Sequence, residues 1–125
     1  MKQVIHTDNA PKAVGTYSQA IKVGNTVYIS GQLGLDPITM TLKDGFKAQA
    51  IQAFDNLEAI AHASGGSLAD VVKFNVSLTD LSDFGTLNEV FESRLSAPYP
   101  ARAAVQVADL PKGGVVEIEA ILVIE

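Results

Sequence analysis

The sequence of 125 residues contains no cysteine, and this absence excludes several kinds of site. Neither a disulfide framework, nor a thiolate metal site, nor a cysteine nucleophile can belong to this protein. Long apolar runs are also absent, since no stretch approaches the roughly 18 residues of a membrane-spanning helix. Residues 1–8 lack the apolar segment of a secretory signal. We therefore expect a cytoplasmic protein without a membrane segment.

Positive charge is scarce and scattered. Nine lysines and arginines stand against 14 acidic residues, which gives a net charge of −5. A negative far field repels nucleic acid and anionic membranes unless basic residues gather on one face, and no three of the nine lie together in the sequence. The composition disfavours general nucleic-acid binding, although one basic pocket for a small anion remains open.

Residue patterns for metal binding and covalent catalysis are missing as well. The two histidines, His6 and His62, lie far apart and have no second histidine or cysteine nearby. No Gly-x-Ser-x-Gly elbow occurs. We expect neither a metal site nor a covalent intermediate.

The length and the apolar content of 47% predict one domain over residues 1–125 with a single core. Hydrophobic periodicity predicts two amphipathic helices and several strands, hence an α+β fold. The predicted elements are a hairpin at 21–30, an irregular loop at 31–37, a helix at 46–64, a strand at 72–78, a helix from a cap at Asp83 to before Pro98, and strands at 103–107 and 115–124.

The last predicted strand is apolar on both faces toward its C-terminal end. Two helices are enough to cover one face of a sheet, so the other face needs a different cover. Another subunit is the simplest cover, and loops packed over the face are the alternative.

One arginine and two glutamates are candidate binding or catalytic residues. Arg102 follows the proline-rich turn 98–100 at the start of a strand, and its planar guanidinium can bind a carboxylate bidentately. Glu117 and Glu119 share one face of the last strand among valines and isoleucines, where burial would raise a carboxyl pKa toward the range of a general base or acid. An ordinary surface arginine and solvated rim carboxylates are the alternatives.

Four short motifs, in this order, resemble the RidA/YjgF family of imine deaminases. They are Gly15-x-Tyr17-Ser18-Gln19-Ala20, Ser30-Gly31-Gln32, Pro100-Ala101-Arg102 and Glu117-Ile118-Glu119-Ala120. The stretch from Val71 through Asp83-Phe84 to Asn88 also fits, so that the resemblance spans essentially the whole chain.

The resemblance implies a chorismate-mutase-like fold, a mixed sheet with two helices on one face, and a homotrimer with three sites between subunits. It implies hydrolysis of 2-imino acids such as 2-iminobutyrate and 2-iminopropionate to 2-oxo acids and ammonia, with no cofactor. Arg102 would bind the substrate carboxylate and Glu117 would position or activate water. Lining residues would be Tyr17, Ser30, Gly31 and Asn88, with the backbone of Ala104 beside the water.

Three positions depart from the family pattern. Thr16 stands where proline is usual, and Ala103 and Ala104 stand where serine and cysteine are frequent. Loss of the serine hydroxyl is expected to alter substrate preference. Two other functions remain open: a regulatory protein that senses small 2-oxo acids at the same cleft, and a ribonuclease or translation inhibitor, which the acidic composition disfavours.

Overall fold

The computed structural model describes residues 1–125 and contains one six-stranded sheet and two α-helices. The elements are β1 (Gln3–Ile5), β2 (Ala20–Val23), β3 (Thr26–Leu33), α1 (Phe46–Ala63), β4 (Val71–Leu78), α2 (Phe84–Arg94), β5 (Ala101–Gln106) and β6 (Val116–Val123). The strand order is β1-β2-β3-β6-β4-β5, with β4 and β5 parallel and all other neighbours antiparallel. The predicted α+β fold with a mixed sheet is confirmed.

Both helices pack against one face of the sheet and enclose the core. Three aromatic rings meet at its centre, Phe54 from α1, Phe74 from β4 and Phe91 from α2, with centroids 4.9 to 5.6 Å apart. Tilted and edge-to-face pairs of this kind add about 0.5–1.5 kcal/mol each beyond the area that they bury. In β6 the buried residues alternate along the strand, and all of them face the helices: Val116, Ile118, Ala120 and Leu122. No helix is long and apolar enough to cross a membrane.

The opposite face of the sheet carries no helix. Glu117 and Ile121 are half-buried there, and Val123 and Tyr28 are 39% and 52% exposed. Ile121 pairs with Tyr28 of β3 and with Lys73 of β4, so apolar and amphipathic side chains continue across three strands. The prediction that the helices leave the second face of the last strand uncovered is confirmed for the single chain.

Two strands differ from their predicted form because their registers shift. β3 continues to Leu33, where a loop was expected after Ser30, and its pairing with β6 shifts between Ile29 and Gln32. In β4 the pairing shifts between Val71 and Lys73, which breaks the alternation and leaves Val72 46% exposed. The alternation of Val72, Phe74, Val76 and Leu78 in the sequence predicts one buried face for all four side chains. The last three are buried, and the expectation for Val72 is wrong.

The start of α2 also differs from the sequence prediction. Asp83 occupies the cap position, but its side chain makes no capping hydrogen bond. Instead, the carboxylate of Asp80 accepts a hydrogen bond from the amide of Ser82 at 2.9 Å and caps a 3₁₀ turn, Leu81–Asp83, that leads into the helix. The short edge strand β1 was not predicted, because three residues carry too little periodicity.

Candidate active site

Arg102 is held against one face of α2. Its Nη1 donates a hydrogen bond to Oδ1 of Asn88 at 2.8 Å, and its Cζ lies 4.9 Å from the ring centroid of Phe91 and 5.3 Å from that of Phe84. Positions 84, 88 and 91 are four and three residues apart and therefore lie on one face of the helix. The two aromatic rings at this face attract the guanidinium group. The side chain is exposed, and its other N–H donors have no protein acceptor. They are available to an anionic ligand.

A cavity of about 580 Å³ opens beside this arginine. It is lined by Asn88, Phe91, Glu92, Leu95, Tyr99, Pro100 and Arg102. The strand that carries Arg102, β5, is the last strand of the sheet and has no strand partner on its outer side. Ala104 lies on the same strand, half-buried and packed against the core. The cavity therefore borders the open edge of the sheet.

Glu117 lies in a second cavity, of about 530 Å³. Its neighbours across the sheet are Leu33 of β3 and Ser77 of β4. Burial, with a smaller effect of the nearby negative charge of Glu119, raises the pKa of the Glu117 carboxyl group above its ordinary value. The carboxylate of Glu119 accepts a hydrogen bond from Asn75, whereas that of Glu117 has no hydrogen bond or ion pair within the chain. Such a group can exchange a proton with a ligand or water.

Gly31 makes room for this carboxyl group. A Cβ atom on Gly31 would lie 2.7 Å from Cδ and 2.9 Å from Oε1 of Glu117, closer than side chains tolerate. The family resemblance implies that Gly31 lines the site. The structure adds a different requirement, because the side chain of Glu117 occupies the space that any larger residue would fill.

Tyr17 and Ser30 line the same cavity as Glu117 and Gly31. The hydroxyl of Ser30 donates to the backbone carbonyl of Ser18 at 2.6 Å, which fixes its orientation. Tyr17 is 51% exposed, and its hydroxyl accepts a hydrogen bond from the amide of Val14 at 3.4 Å. The buried Gln19 supports this wall, since its side-chain amide donates to the carbonyl of Pro11 at 2.9 Å.

The predicted site residues thus form two clusters on the single chain. The arginine cluster is Arg102 and Asn88, and the glutamate cluster is Glu117, Tyr17, Ser30 and Gly31. Arg102 pairs with the buried Phe74, so it projects from the helix side of the sheet. Glu117 alternates with the buried Ile118 and projects from the other side. Neither cavity contains both Arg102 and Glu117.

Several residues around the two clusters were not predicted from the sequence as part of the site. The apolar periodicity of the sequence predicts Phe84 and Phe91 as members of the apolar stripe of α2, although their spacing to Asn88 on one helix face was a usable signal for contact with Arg102. Met40 and Lys112 line the glutamate cavity from distant loops, and no sequence pattern connects them to it. No group of three histidine, cysteine or acidic side chains is arranged to hold a metal ion.

The fold and the two clusters define a small α+β domain with an exposed arginine that has free N–H donors and a partly desolvated carboxyl group. A family model described as Endoribonuclease L-PSP matches residues 7–124, and the chain belongs to this family. The resemblance to the RidA/YjgF proteins is confirmed by relatives of known sequence and structure.

Three of these relatives cover nearly the whole chain. RidA from the Antarctic bacterium Psychrobacter sp. PAMC 21119 is 77% identical, with a TM-score of 0.96 over 98% of this chain and 99% of that one. Escherichia coli TdcF, solved with bound serine, is 41% identical, with a TM-score of 0.93 over 98% and 99%. The 2-iminobutanoate/2-iminopropanoate deaminase of Bos taurus is 50% identical over 124 residues, which are 98% of this chain and 90% of that protein.

Proposed function

We propose that this protein is a cofactor-free deaminase that hydrolyses small 2-imino acids, such as 2-iminobutyrate and 2-iminopropionate, to 2-oxo acids and ammonia. The bovine relative at 50% identity carries the name of this activity. The observation that carries the proposal is the state of the two key groups: Arg102 has free N–H donors, and the half-buried carboxyl of Glu117 has no partner in the chain. A cytoplasmic location remains a prediction from the sequence.

Arg102 is proposed to bind the substrate carboxylate. A guanidinium offers two parallel N–H donors to a carboxylate, and a bond of this charge-assisted type is stronger than one between neutral groups. Asn88 and the two phenylalanine rings restrict the arginine before the substrate arrives. Less conformational entropy is then lost on binding, and C2 of the imine is held in a fixed position.

Glu117 is proposed to move the protons of the reaction. Its carboxylate takes a proton from a water molecule as the water oxygen bonds to C2, which gives a tetrahedral carbinolamine. The carboxyl group returns this proton to the nitrogen to complete the carbinolamine and then transfers the hydroxyl proton to the same nitrogen, so that the C2=O bond forms, the C2–N bond breaks, and ammonia leaves with the bonding electron pair. One imine and one water thus give one 2-oxo acid and one ammonia. The raised pKa of Glu117 suits a group that must both accept and donate a proton.

The complete site is proposed to form between copies of the chain in a homotrimer. Arg102 and Glu117 lie in different cavities and on opposite sides of the sheet, so an intact site requires the arginine cluster of one copy beside the glutamate cluster of the next. The uncovered apolar face around Tyr28 and Ile121 and the open edge of β5 support such an assembly.

Mixing two inactive variants tests this arrangement. Arg102→Lys and Glu117→Gln chains, unfolded together in equal amounts and refolded, should form mixed trimers in which about one quarter of the sites contain both native residues. Turnover should recover to about that fraction of the wild-type value, while each variant alone stays inactive. Native mass spectrometry confirms that mixed assemblies form. No recovery in such assemblies would refute a site shared between copies.

Two other functions lead to different measurements. TdcF, which binds serine in its solved structure, favours small-molecule sensing as an alternative. The family model carries the description of an endoribonuclease, but the net charge of −5 and the scattered basic residues disfavour RNA binding.

The deciding assay generates 2-iminobutyrate in place with a threonine dehydratase and follows the formation of 2-oxobutyrate. The wild-type protein should accelerate this step, and Glu117→Gln at equal concentration serves as the matched control. Binding of 2-oxobutyrate without acceleration would assign the sensor function instead. Cleavage of RNA without acceleration would assign the ribonuclease function.

A further inference from the structure

Two residues other than glycine adopt the left-handed backbone conformation, and both line the cavity of Glu117. They are Met40, with φ of 58°, and Lys112, with φ of 60°. A side chain at such a φ is sterically disfavoured, and residues held in this way concentrate at functional sites. Their two loops are far apart in sequence. Because both residues line one cavity, a function of the side chains at these two positions is indicated.

The loop of Met40 is fixed by a network around Asp36. The carboxylate of Asp36 accepts hydrogen bonds from the amides of Ile38 at 2.8 Å and Thr39 at 3.1 Å. The amide of Met40 donates to the carbonyl of Asp36 at 2.8 Å, and the amide of Asp36 donates to the carbonyl of Thr41 at 2.9 Å. These bonds determine the backbone at Met40, so its side chain is presented to the cavity by a rigid turn rather than by a mobile loop.

The side chain of Met40 borders an apolar part of this cavity. Leu33 and Leu35, which are 8% and 7% exposed, line it as well, and Met40 itself is half-buried. Ile38, two residues away on the same loop, is 90% exposed. Glycine would adopt a φ of 58° without strain, so the backbone alone does not require methionine at position 40. An unbranched thioether side chain adapts to ligands of different shape.

We propose that Met40, together with Leu33 and Leu35, forms the wall that receives the apolar side chain of the substrate, and so sets a preference for 2-imino acids with longer unbranched side chains. The inference rests on the proposed deaminase function. Glu117 lines the same cavity, so a substrate whose C2 lies at Glu117 extends its side chain toward this wall. Each methylene buried there strengthens binding by roughly fourfold.

The test compares a short and a long substrate in matched variants. An L-amino acid oxidase generates 2-iminobutyrate from 2-aminobutyrate and 2-iminohexanoate from norleucine. In Met40→Ala the ratio of kcat/KM for the long substrate to that for the short one should fall by roughly tenfold, as expected from two methylenes that lose their contact. Met40→Leu keeps an apolar side chain, and Ile38→Ala truncates the exposed residue of the same loop. Both should keep the ratio within about twofold of the wild type.

The other outcomes are also decisive. An unchanged ratio in Met40→Ala, with turnover of 2-iminobutyrate intact, would overturn the wall and leave the deaminase function standing. A lower melting temperature with an unchanged ratio would give Met40 a packing role only, which overturns the proposal equally. If the wild type accelerates no imine, the proposed function fails, and calorimetry with 2-oxobutyrate and 2-oxohexanoate tests the wall on its own. The affinity for 2-oxohexanoate relative to that for 2-oxobutyrate should then fall by roughly tenfold in Met40→Ala. An unchanged affinity ratio, or no binding of either acid, would refute the proposed wall.

Discussion

Replacing Arg102 by lysine keeps the positive charge at this position but removes the planar fork. In the structure, Nη1 of Arg102 is already engaged by Asn88 at 2.8 Å, and two aromatic rings lie within 5.3 Å of the guanidinium carbon. A lysine side chain has a single nitrogen. It cannot hold Asn88 and both oxygens of a carboxylate in one geometry.

The expected loss follows from the interactions that lysine cannot replace. One charge-assisted hydrogen bond to the substrate carboxylate contributes about 1.5–3 kcal/mol. Poorer packing of the cation against the rings of Phe84 and Phe91 adds about 0.5–1 kcal/mol at this exposed site. The sum centres on about 3 kcal/mol of transition-state stabilisation, or a fall in kcat/KM of about two powers of ten. Both KM and kcat should worsen, since the arginine is proposed to bind and to orient.

The assay is the dehydratase-coupled formation of 2-oxobutyrate, and Arg94→Lys is its matched control. Arg94 pairs with Asp55 at 2.9 Å and Glu58 at 3.5 Å, and its guanidinium carbon lies 5.5 Å from the ring centroid of Phe54. The same substitution there removes a fork and a ring contact away from the proposed site. We expect kcat/KM within about threefold of the wild type in this control. Normal turnover of Arg102→Lys in an intact assembly would refute the assignment of the carboxylate to Arg102.

Three further predictions concern the glutamate cavity. Glu117→Gln should lose turnover while isothermal titration still detects binding of 2-oxobutyrate, and loss of both would contradict a proton-transfer role. Burial raises the pKa of Glu117, so the folded state binds the carboxyl proton more tightly than the unfolded state does. The free energy of unfolding therefore falls as the pH rises from the ordinary pKa of this group to its raised pKa. Glu117→Gln should therefore raise the melting temperature relative to the wild type at about pH 8 and not at about pH 4. Calorimetric scans at the two pH values measure this, and a lower melting temperature of the variant at pH 8 would contradict it. Gly31→Ala places a methyl group 2.7 Å from Cδ of Glu117, so kcat/KM should fall by about tenfold or more with an unchanged circular dichroism spectrum, and full activity would show that the carboxyl position is not critical.

The parts of the fold that local periodicity determines could be predicted from the sequence. α1 was expected over 46–64 and spans Phe46–Ala63, because its apolar spacing and the following glycines are local signals. β6 was expected over 115–124 and spans Val116–Val123. The register shift at Val72 and the continuation of β3 to Leu33 depend on which strand lies alongside. Pairing partners are not encoded in a short window of residues, so these features could not be predicted.

The candidate site was predictable in its residue types and not in its layout. Side-chain chemistry singled out Arg102 and the pair Glu117 and Glu119, and the family resemblance selected Glu117. The structure places Arg102 and Glu117 each beside a cavity. Their separation into two clusters follows from the strand order and from the side of the sheet on which each projects, and neither can be read from spacing. The proposed contribution of Met40 leaves no signal in the sequence, because a left-handed backbone at a residue other than glycine arises from the hydrogen bonds of its loop.

The proposed assembly gives Glu117 two opposing influences on its charge. Within one chain, burial and the neighbouring Glu119 favour the neutral acid and raise its pKa. A guanidinium from the next copy would favour the carboxylate, as an opposite charge within a few ångströms does. Binding of the substrate carboxylate to that guanidinium then offsets part of its charge, which moves the pKa of Glu117 upward again. The guanidinium would therefore moderate the raised pKa before substrate binds, so that the base form is easier to reach than in the single chain, and the acid form would become easier to reach as the reaction proceeds to the step in which ammonia needs a proton. On this reasoning, one carboxyl group serves both steps because the partner subunit and the substrate shift its pKa in opposite directions.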